Sequence, residues 1–252
     1  MKVAVISGGR SSEHDVSLRS GESVAAGLEA AGHEVVGIRI ERDGRWLRDG
    51  RELSLRAAGG LEGCDAAFPV LHGPFGEDGT VQGLLECLAV PYAGPSVLAA
   101  AIAIDKLVCK RLLAHHGFPQ VGFCQAGEEG WRDRAEAMGT PVWVKPSRLG
   151  SSVGISRVDD LRAGLDAAVE LARRHDPRVI VEAHCEGAEV ECSVIGNETP
   201  ETSLPGQILT QGAEWYDYEA KYTVGGMTLA VPAPIGDVAA ALVRQLAAAV
   251  YR

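Results

Sequence analysis

The stretch K-P-S-R-L-G-S-S-V-G at 145–154 places a lysine and a proline at the end of an apolar run, followed by a small polar loop. Its lysine precedes the glycines, so the order G-x-x-x-x-G-K-[ST] of a P-loop is absent. Backbone N–H groups of Gly150, Ser151, Ser152 and Val153 could still line a concavity that accepts phosphate oxygens. Lys145, anchored on a strand by Pro146, adds a point charge. The chain has a net charge of −10, so an anion site must be gathered locally against the overall field. A polyphosphate suits such a loop. The plainer alternative is a hairpin turn beside a lysine whose stem lies along apolar surface. A lone glycine-rich loop does not decide between them.

The elements that must position this loop follow from periodicity and punctuation. An apolar strand at 3–7 runs into Gly8-Gly9-Arg10-Ser11-Ser12, a helix begins near 12–15, and Gly32 stops it. H-E-V-V-G-I-R-I (33–40) reads as the next strand. Residues 41–64 read as surface elaboration with turns at the two R-D-G triplets. A strand at 65–73 and a helix at 77–88 continue an alternation that argues for a parallel α/β sheet. After G-P-S (94–96), residues 97–117 read as one amphipathic helix ending at Gly117.

The second half mixes strands at 120–127, 140–147, 152–158, 178–184 and 189–196 with a helix at 159–175, an α+β pattern. The last stretch, 236–252, has Val238, Leu242, Leu246 and Val250 on one helical stripe. It stops at Arg252 with no glycine cap and no strand to cover that stripe, so a C-terminally shortened chain is expected.

Bulk properties exclude several classes. Among 252 residues, 46% are hydrophobic and 23% charged, as in a globular protein of one large domain or two to three smaller ones. No apolar run approaches the ~18–20 residues of a membrane span, and the start, with Gly8 and Gly9, is unlike a signal peptide. A cytoplasmic location is expected. The acidic balance argues against a nucleic-acid surface. The six cysteines include no C-x-x-C pair, so reduced thiols serving as small core residues are expected rather than a zinc site.

Six motifs occur in one order: G-G-R-S-S-E-H-D-V-S-L-R-S-G (8–21), L-H-G-P-F-G-E-D-G-T-V-Q-G (71–83), I-D-K (104–106), the loop at 145–158, V-E-A-H-C-E-G-A-E-V-E-C-S-V-I-G (181–196) and E-W-Y-D-Y-E-A-K-Y (214–222). Together the sequence resembles the D-alanine–D-alanine ligases, ATP-grasp enzymes of peptidoglycan synthesis and hence of cell-wall biogenesis and cell shape. The resemblance implies a Rossmann-like α/β N-terminal (pre-ATP-grasp) domain followed by an α+β ATP-grasp domain, the latter incomplete. It divides the chain into 1–95, 96–183 and 184–252.

By that resemblance, Lys106 and Lys145 contact ATP phosphates, and Gly150, Ser151 and Ser152 cover them. Glu182 and Glu189 meet the adenine amino group and the ribose hydroxyls, donor-rich partners that suit carboxylates. Two solvated carboxylates beside a turn are the alternative. Glu13 takes the ammonium of the first D-alanine through a chain with Ser151 and Tyr222, although a carboxylate at a helix start also complements the helix dipole. His72 lies near that substrate, though a single histidine is commonly structural. Residues 214–222 form a closing loop that excludes water. In it Lys221 reaches the γ-phosphate, Tyr216 and Tyr218 pack, Trp215 replaces a commoner phenylalanine, and Tyr222 favours a dipeptide over a depsipeptide product.

The departure from the family pattern is at the end of the chain. The family's magnesium ligands, an aspartate, a glutamate and an asparagine, and its transition-state arginine correspond to positions beyond Arg252. Asp237 is the only carboxylate from 236 to 252, and Arg252 does not match the arginine. The expectations are ATP and Mg²⁺ as cofactors, no metal ligands in this chain, weak or absent turnover by this chain, D-alanine as substrate and a homodimer. The alternatives are a non-catalytic ATP- or D-alanine-binding remnant and an ATP-grasp ligase for another amino acid.

Overall fold

The computed structural model describes residues 1–210 and 227–252. It divides the chain into two units, Met1–Arg111 with Ser147–Gly150, and Leu112–Pro146 with Ser151–Arg252.

The first unit is built on β1 (Lys2–Gly8), α1 (His14–Ala30), β2 (Glu34–Ile40), β3 (Trp46–Arg48), β4 (Arg51–Glu52) and β5 (Ala66–Pro69). Its sheet has the order β4-β3-β2-β1-β5, with β2 and β5 flanking β1 and parallel to it. A parallel strand covered on both faces needs a near-continuous apolar run, and Val3, Ala4, Val5 and Ile6 are all buried. β3 and β4 add antiparallel to the edge at β2. Residues 41–64 are therefore sheet as well as surface, which corrects the expectation. The Asp49-Gly50 turn, with φ 50 and 76°, has the left-handed pair that a two-residue hairpin requires. Leu61 also enters the core at 1% exposure.

Next come α2 (Thr80–Leu88), α3 (Val97–Ile104) and α4 (Lys106–His115). In α2, Val81, Leu85 and Leu88 recur at helical spacing and pack under the sheet with Ile6, Ile38 and Ala67. The single helix expected over 97–117 is two helices, broken at the extended residue Asp105 (φ −86°, ψ 97°). Tertiary hydrogen bonds at that residue overrule an apolar run with good helix propensity.

The second unit contains β6 (Phe123–Gln125), α5 (Trp131–Ala137), β7 (Val142–Pro146), β8 (Ser156–Val158), α6 (Leu161–Arg173) and β9 (Val179–Ala183). These strands pair antiparallel in the order β6-β9-β7-β8. Asp160 caps α6, accepting from the N–H groups of Arg162 (2.9 Å) and Ala163 (3.3 Å). Leu165, Ala168, Val169 and Ala172 of α6 then pack on Val142, Val144, Val179 and Val181.

Two smaller antiparallel sheets follow, from β10 (Val190–Glu191), β11 (Val194–Ile195), β12 (Glu201–Thr202), β13 (Gly206–Thr210) and β14 (Met227–Ala230). The single strand expected over 189–196 is thus β10 and β11, which join different sheets. The final helix, α7 (Asp237–Tyr251), forms as its periodicity predicts. None of its residues is buried, and Val238 is 87% exposed. Tyr251 Oη donates to the Gly196 carbonyl at 2.6 Å.

Candidate functional site

In the first unit, candidate groups collect at the carboxyl ends of parallel strands β1 and β5, where open α/β sheets bind ligands. Gly8 ends β1 with φ +91°, and a Cβ there would lie 2.3 Å from the Ile40 carbonyl oxygen. Only glycine fits. The first turn of α1 locks this corner. Ser17, fully buried, accepts from the Gly8 N–H at 2.8 Å and donates to the Val70 carbonyl beyond β5. His14 Nδ1 lies 2.7 Å from the Gly9 carbonyl, so that ring nitrogen carries the proton.

Glu13, at the head of α1, is 7% exposed. Its Oε2 lies so near the Gly73 backbone that a Cβ there would approach it to 2.8 Å. His72 is half-buried, with Nε2 3.4 Å from Ser20 Oγ. The structure therefore brings Glu13 to the His72-Gly73 segment.

The loop after Gly73 is shaped by acidic side chains on backbone N–H groups. Glu77 accepts from Gly73 at 2.9 Å, and Asp78 accepts from Phe75 at 2.9 Å and from Thr80 at 3.0 Å. Burial pushes the Asp78 carboxyl up, but the hydrogen bonds from Phe75 and Thr80 outweigh it and hold the group below its ordinary value. Arg10 stacks on Phe75, guanidinium to ring centroid 4.6 Å.

Lys106 opens α4, directly after the break. Its N–H donates to the Ser147 carbonyl at 2.9 Å, and its Nζ donates to the Leu149 carbonyl. Asp105 Oδ1 accepts from Ser147 Oγ at 2.7 Å and from the Val108 N–H at 3.2 Å. The I-D-K motif points to Lys106 and, from residue type alone, to neither Asp105 nor Ser147. An aspartate inside an apolar helical run is an N-cap residue type, which was the available signal.

In the second unit, strand alternation sorts the side chains. Val142, Val144 and Pro146 of β7 are buried, whereas Trp143 and Lys145 point to the opposite face. Trp143 pairs with Glu182 and Lys145 with Ile180 across to β9, so Lys145 and Glu182 share that face. Their Nζ–Oε2 distance is 2.8 Å, with side chains 26% and 10% exposed. Trp143 Nε1 donates to His184 Nδ1 at 3.1 Å.

The loop joining β7 to β8 contains Ser151 and Ser152 with φ 52 and 58°, left-handed values unusual for non-glycine residues. Gly154 follows at φ +70°, where a Cβ would strike His175 Cδ2 at 2.7 Å and Pro146 Cγ at 3.0 Å. Glu189 is exposed ahead of β10 and is not joined to the Lys145–Glu182 pair by any described hydrogen bond or ion pair. Trp215, Tyr216, Tyr218, Lys221 and Tyr222 lie outside the described residues.

The six thiols are free, and only Cys124 is buried, which corrects the expectation that all serve the core. Among the described residues, no three His, Cys, Asp or Glu side chains come together as metal ligands. No described helix is long and apolar enough to cross a membrane.

Comparison with known proteins covers both units. A model described as D-ala D-ala ligase N-terminus matches residues 2–60 and 51–95, and one described as D-ala D-ala ligase C-terminus matches 112–252. A D-alanine–D-alanine ligase of Solibacter usitatus is 42% identical over 254 residues, covering 100% of this chain and 77% of the relative. One of Deinococcus radiodurans is 42% identical, covering 93% and 75%. Among solved structures, the D-alanine–D-alanine ligase of Coxiella burnetii superposes with TM-score 0.86 at 28% identity, covering 100% of this chain and 76% of that one. The VanG D-Ala:D-Ser ligase of Enterococcus faecalis gives 0.84 at 29%, covering 99% and 81%. With both halves matched and close relatives at this identity, the chain belongs to the D-alanine–D-alanine ligase family.

Proposed function

We propose that this chain carries the nucleotide and amino-acid binding groups of an ATP-dependent D-alanine–D-alanine ligase of peptidoglycan synthesis. The observation that carries the reading is the buried Glu13 carboxylate held against Gly73 beside His72, at the carboxyl ends of β1 and β5. A buried carboxylate there suits the ammonium of an amino acid.

In the proposed reaction, a carboxylate oxygen of the first D-alanine attacks the γ-phosphorus of ATP and ADP leaves. The acyl phosphate is then attacked at its carbonyl carbon by the amine of a second D-alanine. Phosphate departs with the C–O bonding pair, and the ammonium proton is lost to solvent. The protein's task is to position reactants and balance charge. Lys106 and Lys145 meet the phosphates, Gly150, Ser151 and Ser152 cover them, and Glu182 and Glu189 take the adenine and ribose ends. Glu13 orients the first substrate with Ser151 and Tyr222, and Lys221 closes over the γ-phosphate. Magnesium, when bound, supplies neutralisation of the phosphates. A cytoplasmic location accords with the supply of ATP.

The VanG likeness favours a second reading, in which the acceptor is D-serine. Incubating the chain with ATP, Mg²⁺ and D-alanine, D-serine, D-lactate or L-alanine, with ADP and product read by mass spectrometry, tests both. D-alanine-dependent ADP release with D-alanyl-D-alanine supports the first reading, and a mixed dipeptide supports the second. ATP or D-alanine binding without product supports a non-catalytic binder. Absence of all binding overturns the proposal.

A further inference from the structure

Residues 97–115 contain no proline or glycine, and their apolar content favours one uninterrupted helix. The chain nevertheless breaks at Asp105 and restarts at Lys106. A new helix start leaves its first N–H groups without intrahelical acceptors. Here the first three are met by two residues. Lys106 N–H donates to the Ser147 carbonyl at 2.9 Å, Leu107 N–H to Ser147 Oγ at 3.1 Å, and Val108 N–H to Asp105 Oδ1 at 3.2 Å. Ser147 Oγ then closes the node by donating to Asp105 Oδ1 at 2.7 Å.

A simple cap needs less. Ser96 starts α3 with one side-chain hydrogen bond, to the Ala99 N–H. The node at α4 instead reaches a residue distant in sequence, and both of its side chains are buried, Asp105 at 5% and Ser147 at 0% exposure. Its consequence is the placement of Lys106. The ammonium is held on carbonyl oxygens at the root of the glycine-serine loop, on Leu149 and, at 3.5 Å, on Ser147. A carbonyl is a weaker acceptor for an ammonium than an ionised phosphate oxygen. Lys106 can therefore exchange a carbonyl for a phosphate by rotating its stem while the node stays fixed.

We infer that Asp105 and Ser147 are positioning residues that break the α3–α4 run to hold Lys106 on the root of the 147–154 loop for an incoming nucleotide phosphate. The inference rests on the nucleotide reading above.

The test measures ATP affinity of the 252-residue chain by calorimetry, without D-alanine, for the unsubstituted protein, Ser147→Ala, the near-isosteric Ser147→Cys, Lys106→Ala and each serine variant combined with Lys106→Ala. Ser147→Cys keeps the volume filled should Ser147→Ala fail to fold. Each serine variant is expected to weaken ATP binding about tenfold, the scale of one lost hydrogen-bonding group. In the Lys106→Ala background the further loss from Ser147→Ala or Ser147→Cys should fall below about twofold, because the residues act as one unit. An equal loss in both backgrounds overturns the inference, as does unchanged affinity in the serine variants. If the unsubstituted chain binds no ATP, the nucleotide reading fails and takes this inference with it.

Discussion

Lys145 and Glu182 meet across adjacent strands β7 and β9, Nζ to Oε2 2.8 Å, on the sheet face opposite the valine core. Both sit there because residues of a strand alternate between faces. Glu182 is the more enclosed partner, so removing the lysine costs more than removing the carboxylate charge. We expect Lys145→Met to destabilise the protein by about 2 kcal/mol and Glu182→Gln by about 1 kcal/mol. The double variant should lose less than the sum. Urea unfolding checks this, and strict additivity would show that the pair is not coupled.

Ser17 ties two strand ends through one hydroxyl, so its removal leaves the Gly8 N–H and the Val70 carbonyl without that partner. Ser17→Ala should cost about 2 kcal/mol of stability. It should also weaken D-alanine binding more than ATP binding, because the corner it locks carries Glu13 and His72. Parallel calorimetric titrations with the two ligands read the difference.

Asp78 titrates below its ordinary value because hydrogen bonds from Phe75 and Thr80 favour its charged form over the cost of burial. Its native state thus holds the proton less readily than the unfolded chain. The resulting stability is present above the ordinary value of 3.8 and is lost as pH falls through the depressed native value. Asp78→Asn should therefore be less stable than the unsubstituted protein at neutral pH, with the gap closing as pH falls below 3.8 and through the depressed native value. Denaturant curves at neutral and acid pH decide it; a gap independent of pH would exclude the charge as its source.

Burial pushes the Cys124 thiol up, and its Sγ lies 3.4 Å from the Trp131 carbonyl inside the second unit's core. Cys87 and Cys185 are exposed. Iodoacetamide under native conditions should label Cys87 and Cys185 first and Cys124 last, with Cys124 labelling accelerated only by unfolding. Peptide mass spectrometry over a time course gives the order.

Much of this was legible in the residues. β1, α1, β2, α2, α6 and β9 follow their hydrophobic periods and stop signals, and the lysine-to-loop order at 145–154 marks a strand–loop–strand. The misreadings share one cause. β3 and β4 are short strands, β3 pairing with β2 and β4 with β3 at the sheet edge, and β10 and β11 separate because each finds a different partner strand. Lys145 and Glu182 meet in a pair that alternation predicts once the β7–β9 register is known.

The sequence by itself determined the family, the loop that suits phosphate and the residue types beside it, because those depend on local order and spacing. Tertiary structure decided where the 97–115 run breaks. Helix propensity there is worth tenths of a kcal/mol per residue, and Asp105 and Ser147 together satisfy three N–H groups and set the lysine between them, which no local pattern contains.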